Sequence, residues 1–133
     1  MTMNKFDHVG LVVKDTEKTS ALLTKLFQLE AAEIRMEPDA GFKSTLMSRE
    51  NLTFELIEPV GPQGMIQRFV EKHGGGLHHI SIGVSDIEEE VKRLQALGVT
   101  FSSEKPIQVT ENTKVIFIHP RSTDGLLIEL IQR

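Results

Sequence analysis

Four side chains of metal-ligating type recur at matched places in this sequence: His8 and Glu55 in the first half, His79 and Glu129 in the second. Each histidine sits at the head of an alternating apolar run, "DHVGLVV" (7–13) and "HHISIGV" (78–84). Each glutamate lies inside an apolar run, "LTFELIEP" (52–59) and "GLLIELIQ" (125–132). Side chains alternate across a strand, so face membership can be read directly. Val9, Leu11 and Val13 share one face and leave His8, Gly10 and Val12 on the other. Ile80, Ile82 and Val84 share a face with His78 and leave His79, Ser81 and Gly83 opposite. His79, not His78, is therefore the counterpart of His8. Glu55 faces the same way as Thr53 and Ile57, and Glu129 the same way as Leu127 and Ile131.

A carboxylate desolvated on such a face is costly without a partner, and neither glutamate strand carries a Lys or Arg beside it. A divalent cation resolves the cost. Two carboxylates balance its charge, and two neutral imidazoles complete a His₂Glu₂ set suited to Co²⁺, Ni²⁺, Mn²⁺, Fe²⁺ or Zn²⁺. A six-coordinate ion would keep two adjacent positions open for water or substrate. Taken singly, a strand histidine is more often a satisfied structural residue, and a strand glutamate more often faces solvent or a basic partner. The joint recurrence favours the metal. His78 reads as structural, His73 and His119 as solvated loop or strand-end residues. The run Glu88-Glu89-Glu90 reads as the wet side of a helix.

The elements that position these residues follow from an internal repeat. "FDHVGLVVKDTEKTSALLTKLFQLE" (6–30) matches "LHHISIGVSDIEEEVKRLQALGVT" (77–100), with Asp15 and Asp86 each seven positions after the aligned histidine. Both aspartates are expected helix N-caps, and Glu89 gives the second a capping-box pattern. The helical apolar beats are Ala21, Leu22, Leu26 and Leu29 in one copy and Ile87, Val91, Leu94 and Leu97 in the other, with Gly98 as a stop. Further strands are expected near 32–37, 42–48 and 52–58, and again near 99–104, 114–119 and 126–132. "EPDAG" and "HPRSTDG" supply turns. "GPQGMIQRFVEKHGGG" reads as a loop and short helix ended by glycines. The fold class is α+β: one domain over 1–133, with βαβββ module one at about 5–59, a linker at about 60–75 and module two at about 76–133.

Composition bounds the function. The 133 residues carry a net charge of −4 and no basic run, which argues against a nucleic-acid partner. The sequence has no apolar stretch long enough to span a membrane and no leader pattern at Met1, giving the expectation of a soluble, unprocessed protein. Zero cysteines exclude disulfides and thiolate metal sites and fit the cytoplasm.

The segments "DHVGLVVKD", "FELIEP", "GGGLHHISIGVSDIEE" and "VIFIHPRSTDGLLIEL" resemble, in the same order and over nearly the whole chain, those of the vicinal oxygen chelate superfamily. Within it they are most similar to the methylmalonyl-CoA epimerases. The resemblance implies two βαβββ modules with curved mixed sheets around a metal cleft, usually in a homodimer, and an acyl-CoA thioester as substrate. It also marks departures. Some epimerases have Gln where this chain has Glu55, whereas glyoxalase I enzymes usually have Glu. The extra glutamate that some epimerases place on a strand of module one falls here at Ser44 or a neighbour.

Chelation of the substrate's carboxylate and thioester carbonyl would let an α-proton leave to give a metal-stabilised enolate. Glu129 is the first candidate base and Glu55 the second. Lys114, Arg121, Lys72 and Arg68 are available for the ADP end of CoA or serve solubility alone. Glyoxalase I-type isomerisation of a glutathione hemithioacetal is the nearest alternative. An extradiol dioxygenase is disfavoured by the extra Glu55 and the absence of Tyr. A non-catalytic binding module is disfavoured because such members use aromatic clamps, and the aromatics here are 5%, all Phe.

Overall fold

The computed structural model describes residues 3–32 and 34–133. In chain order these form β1 (Met3–Val12), α1 (Thr16–Phe27), β2 (Glu30–Ala31), β3 (Arg35–Glu37), β4 (Phe42–Arg49), β5 (Leu52–Pro59), α2 (Met65–His73), β6 (Gly76–Val84), α3 (Ile87–Ala96), β7 (Ile107–Thr110), β8 (Thr113–Ile118) and β9 (Ile128–Gln132). Short 3-10 turns at Pro38–Ala40 and Pro120–Ser122 fall in the two turn sequences. The chain divides into two compact units, His8–His78 and the segment through Asp7 together with His79–Arg133. The division falls inside β1 and inside β6, so each histidine strand contributes to both units.

In the His8–His78 unit, β2 and β3 pair antiparallel with β4, β4 pairs antiparallel with β5, and β5 runs parallel to β1. Leu29, Met47 and Leu56 form a buried cluster with Leu11, Val13 and Leu23 packed on it. The Leu11 and Val13 face of β1 thus meets α1, as its apolar pattern requires. On the opposite face, Val12, Ile57 and Ile66 pack with Phe42, Phe69 and Val70, which docks α2. In the other unit, β7 pairs antiparallel with β8, β8 antiparallel with β9, and β9 parallel to β6. Its core joins Ile87, Val91 and Leu94 of α3 to Val84, Ile116, Ile118 and Leu130.

Both helices start where expected. Asp15 accepts from the Lys18 N–H and Asp86 from the Glu89 N–H, each at 3.0 Å. A second cap was not legible in the sequence. The Thr16 N–H donates to Glu58 Oε1 at 2.7 Å, and the Ile87 N–H donates to Gln132 Oε1 at 2.8 Å. Each follows its strand glutamate by three positions, so the repeat extends to individual hydrogen bonds. The three glycines after α2 all have positive φ, 78°, 120° and 109°. Gly74 ends the helix in the left-handed region, and at Gly75 a Cβ would meet the Val12 carbonyl oxygen at 3.0 Å.

Several expectations are corrected. No regular strand forms at 99–104; Phe101 makes one isolated bridge to Ile118, and the strand lies at Ile107–Thr110, paired to β8 across a two-residue turn. Around that bridge the Ser102 N–H donates to the Phe117 carbonyl and the His119 N–H to the Thr100 carbonyl, each at 2.9 Å, so the earlier segment touches β8 without extending into a strand. The strand expected at 32–37 forms only over its last part, as β3 (Arg35–Glu37), with the short β2 (Glu30–Ala31) before it, and Glu33 lies outside the described residues. In α1 the assumed beat is displaced: Leu23 packs inward, whereas Leu22 and Leu26 are 51% and 57% exposed. Leu97 is likewise exposed, past the end of α3. Glu90 is not on a wet face; it is fully buried, and both carboxylate oxygens accept from the Arg93 Nε–H, at 2.9 and 3.1 Å. Among the described residues, no helix is long and apolar enough to cross a membrane.

Removing the Gln132 acceptor leaves an amide of the first turn of α3 without its partner. Gln132→Ala is expected to lower stability by about 1–2 kcal/mol, measured by urea unfolding, with the far-ultraviolet dichroism of the folded state unchanged.

Candidate metal centre and active site

In the His8–His78 unit, parallel pairing sets Gly10 opposite Glu55 and Val12 opposite Ile57. His8 lies two residues before Gly10 and so projects from the same face. It is buried, and its Nε2 stands 3.6 Å from Glu55 Oε1. That separation is too long for a hydrogen bond. It is close to the about 3.0–3.4 Å that divides two neighbouring donors each about 2.1 Å from one ion. Gly10 carries no side chain, which leaves the space beside Glu55 clear. The β4 register puts Ser44 opposite Ile57 and Leu46 opposite Glu55, so this strand adds no carboxylate to that face. Ser44 is buried there.

The other unit repeats the scheme with different neighbours. Ser81 pairs with Glu129, and Glu129 with Phe117 on its other side. The Ser81 hydroxyl donates to Glu129 Oε1 at 2.7 Å, with both residues buried. His79, two residues before Ser81, is also buried, and its ring meets Phe117 edge-on with centroids 5.6 Å apart. The serine and the phenylalanine hold the glutamate and the histidine of this pair in place. Sequence reading missed both roles, because they depend on which residues three adjacent strands set side by side.

His8, His79 and Glu129 are thus buried imidazole and carboxylate groups of the types that could hold a metal ion. Glu55 stands beside His8 with its side chain 18% exposed. The donor types fit a hard or borderline divalent cation: two anionic oxygens for charge, two neutral nitrogens for field.

The remaining histidines have structural surroundings. Burial pushes the His78 pKa below the ordinary histidine value, and the nearby charge of Glu55 only partly opposes this. Its ring lies edge-on to Phe69 at 5.0 Å, and His73 lies tilted against the same ring at 4.7 Å. His119 Nδ1 accepts from the Arg121 N–H at 3.2 Å, capping the 3-10 turn after β8. Of the four candidate cations, Lys114 is paired with Glu88 at 2.9 Å, while Arg68, Lys72 and Arg121 are exposed.

Comparison with known proteins agrees with the fold. The family model of the glyoxalase/bleomycin resistance protein/dioxygenase superfamily matches residues 7–117. The ethylmalonyl-CoA/methylmalonyl-CoA epimerase of Cereibacter sphaeroides is 32% identical over 98% of both chains. The mitochondrial methylmalonyl-CoA epimerase of Dictyostelium discoideum is 30% identical over 98% of this chain and 80% of its own. The crystal structure of methylmalonyl-CoA epimerase from Mycobacterium tuberculosis superposes with a TM-score of 0.91 at 26% identity, covering 98% of this chain and 89% of that one. With its duplicated strand scheme and near full-length matches, the chain has the vicinal oxygen chelate fold and belongs to the glyoxalase/bleomycin resistance protein/dioxygenase superfamily, in the family of the methylmalonyl-CoA epimerases.

Proposed function

We propose that this protein interconverts the two C2 epimers of methylmalonyl-CoA, with His8, Glu55, His79 and Glu129 as ligands of one divalent ion. The observation that carries the reading is the repeated pairing, in register, of a histidine strand with a glutamate strand, in a chain whose relatives of the same family match it nearly end to end. When bound, such an ion supplies Lewis-acid polarisation of the thioester carbonyl, which makes the α-proton acidic. The chain's own groups do the rest. Glu129 accepts the α-proton on one face of the acyl group, leaving a planar enolate. Glu55 returns a proton to the other face, and the roles exchange in the reverse direction. His8 and His79 stay neutral, so the two carboxylates alone offset the cation. Burial of His8, His79 and Glu129 limits the water that would otherwise compete for the reacting positions.

Glu55 takes the second-base role because β4 presents Phe42, Ser44 and Leu46 on its face and no further carboxylate. The exposed Arg68, Lys72 and Arg121 are the candidates for contact with CoA phosphates. The same reading carries a cytoplasmic homodimer, consistent with the lack of cysteine; light scattering should give twice the chain mass. Glyoxalase I-type isomerisation is the second reading, favoured by one feature, the carboxylate of Glu55 beside His8.

Offered methylmalonyl-CoA in D₂O, the protein should incorporate one deuterium at C2 and equilibrate the epimers, while leaving methylglyoxal with glutathione untouched. The opposite pattern would establish the glyoxalase reading. Exhaustive chelation should abolish exchange and lower the melting temperature, and readdition of Co²⁺ should restore both; an ion at 100 times its Kd adds about 2.7 kcal/mol. Glu129→Gln should keep the fold and lose about 10²–10⁴-fold in exchange rate. Near-normal deuterium uptake by that variant removes Glu129 as a base.

A further inference from the structure

We propose that Ser81 is a positioning residue that decides which oxygen of Glu129 serves the metal and the substrate. The inference rests on the proposed metal-dependent reaction and deepens it. Ser81 is fully buried and directly opposite Glu129 in the parallel ladder of β6 and β9. A carboxylate only accepts, so the 2.7 Å contact is donation from the Ser81 hydroxyl to Oε1. Hydrogen bonds to an ionised acceptor are shorter and roughly twice as strong as neutral ones. Oε1 is therefore held by the protein, and the carboxylate cannot rotate freely about its last bond. The serine bond thus distinguishes the two oxygens, Oε1 as its acceptor and Oε2 as the proposed ligand or proton acceptor.

The comparison within the chain makes this specific. At the matching place in the first half stands Gly10, opposite Glu55, and glycine has no hydroxyl to donate. The two glutamates are thus held differently although their strands follow one scheme. A serine retained only for packing would need no donor aimed at the carboxylate. Partners that orient a metal ligand from behind are commonly worth 10–100-fold in metal affinity.

The test titrates Co²⁺ into metal-free wild-type, Ser81→Ala and Ser81→Thr proteins. It records affinity by calorimetry, the visible absorption of the bound ion, and the melting temperature of each metal-free sample. Ser81→Ala is expected to bind Co²⁺ about 10–100-fold more weakly, with an altered absorption band and a metal-free melting temperature close to wild type. Ser81→Thr, which keeps the hydroxyl, should recover most of the affinity and the wild-type band. Wild-type affinity and an unchanged band in Ser81→Ala would overturn the inference while leaving the metal reading intact. A wild-type protein that takes up no Co²⁺ would overturn both.

Discussion

The structure depends on the parallel pairing of the first and last strands of each half. Setting Gly10 against Glu55 and Ser81 against Glu129 places a small residue beside each carboxylate and a histidine two residues away on the same face. A slip of one residue in either ladder would exchange the face that carries the histidine and the glutamate for the face packed on the helix, because side chains alternate with a period of two. Burial fixes the register. Leu11 and Val13 have a place against Leu23 and Leu56, and Ile82 and Val84 against α3. The energy that aligns the four candidate side chains is therefore hydrophobic, and in the first half it comes from both faces of the ladder, because Val12 and Ile57 pack with Ile66 on the face that carries His8 and Glu55.

The glutamate strands also carry the helices. Three residues beyond Glu55 and Glu129, Glu58 and Gln132 accept the first free amides of α1 and α3. A helix start needs acceptors for amides that have no partner within the helix. Here the N-cap aspartate supplies one and the strand supplies another. Each glutamate is consequently anchored on its strand by core residues and by a helix terminus close behind it. In the first half Glu58 adds a contact to Lys43 at 3.4 Å, a charge pair that Gln132 cannot make. Rigid surroundings of this kind suit side chains that must hold a fixed geometry.

Much of this was legible in the sequence because it rests on periodicity and duplication. The alternation in 7–13 and 78–84 separates His79 from His78, and the structure surrounds His78 with Phe69 rather than setting it in the counterpart place of His8. Asp15 and Asp86 are local signals and behave as such. The failures come from nonlocal contacts. Glu90 lies in an acidic run, so its sequence suggests solvent, but α3 turns it inward and Arg93 reaches over to meet it. Leu22 and Leu26 have the spacing of a buried stripe, yet the sheet under α1 accepts Leu23 instead. The strand expected at 99–104 has apolar residues at its start, but the partner edge of β8 is taken mainly by Ile107–Thr110. Arg93 is only three residues from Glu90, and what the sequence hides there is the face that α3 turns to its sheet; in the other two cases the deciding partner is distant along the chain.

The two halves share a plan, and one of their differences falls at the residues flanking the glutamates. Glu55 lies between Gly10 and Leu46, Glu129 between Ser81 and Phe117. One carboxylate is bordered by an absent side chain and an aliphatic one. The other is bordered by a hydroxyl donor and an aromatic ring that also supports His79. Core positions can drift between apolar types without altering chemistry, but a donor beside a carboxylate changes which oxygen is available and how freely it turns. An epimerase moves a proton on and off both faces of one carbon, and those faces present different substituents once the CoA tail is fixed. With Glu129 and Glu55 as the proposed bases, identical surroundings would treat unlike faces alike. Divergence at the flanking positions leaves the backbone register of both parallel ladders untouched while giving each carboxylate its own constraint, which is how a twofold plan can serve the proposed reaction, which is not itself twofold.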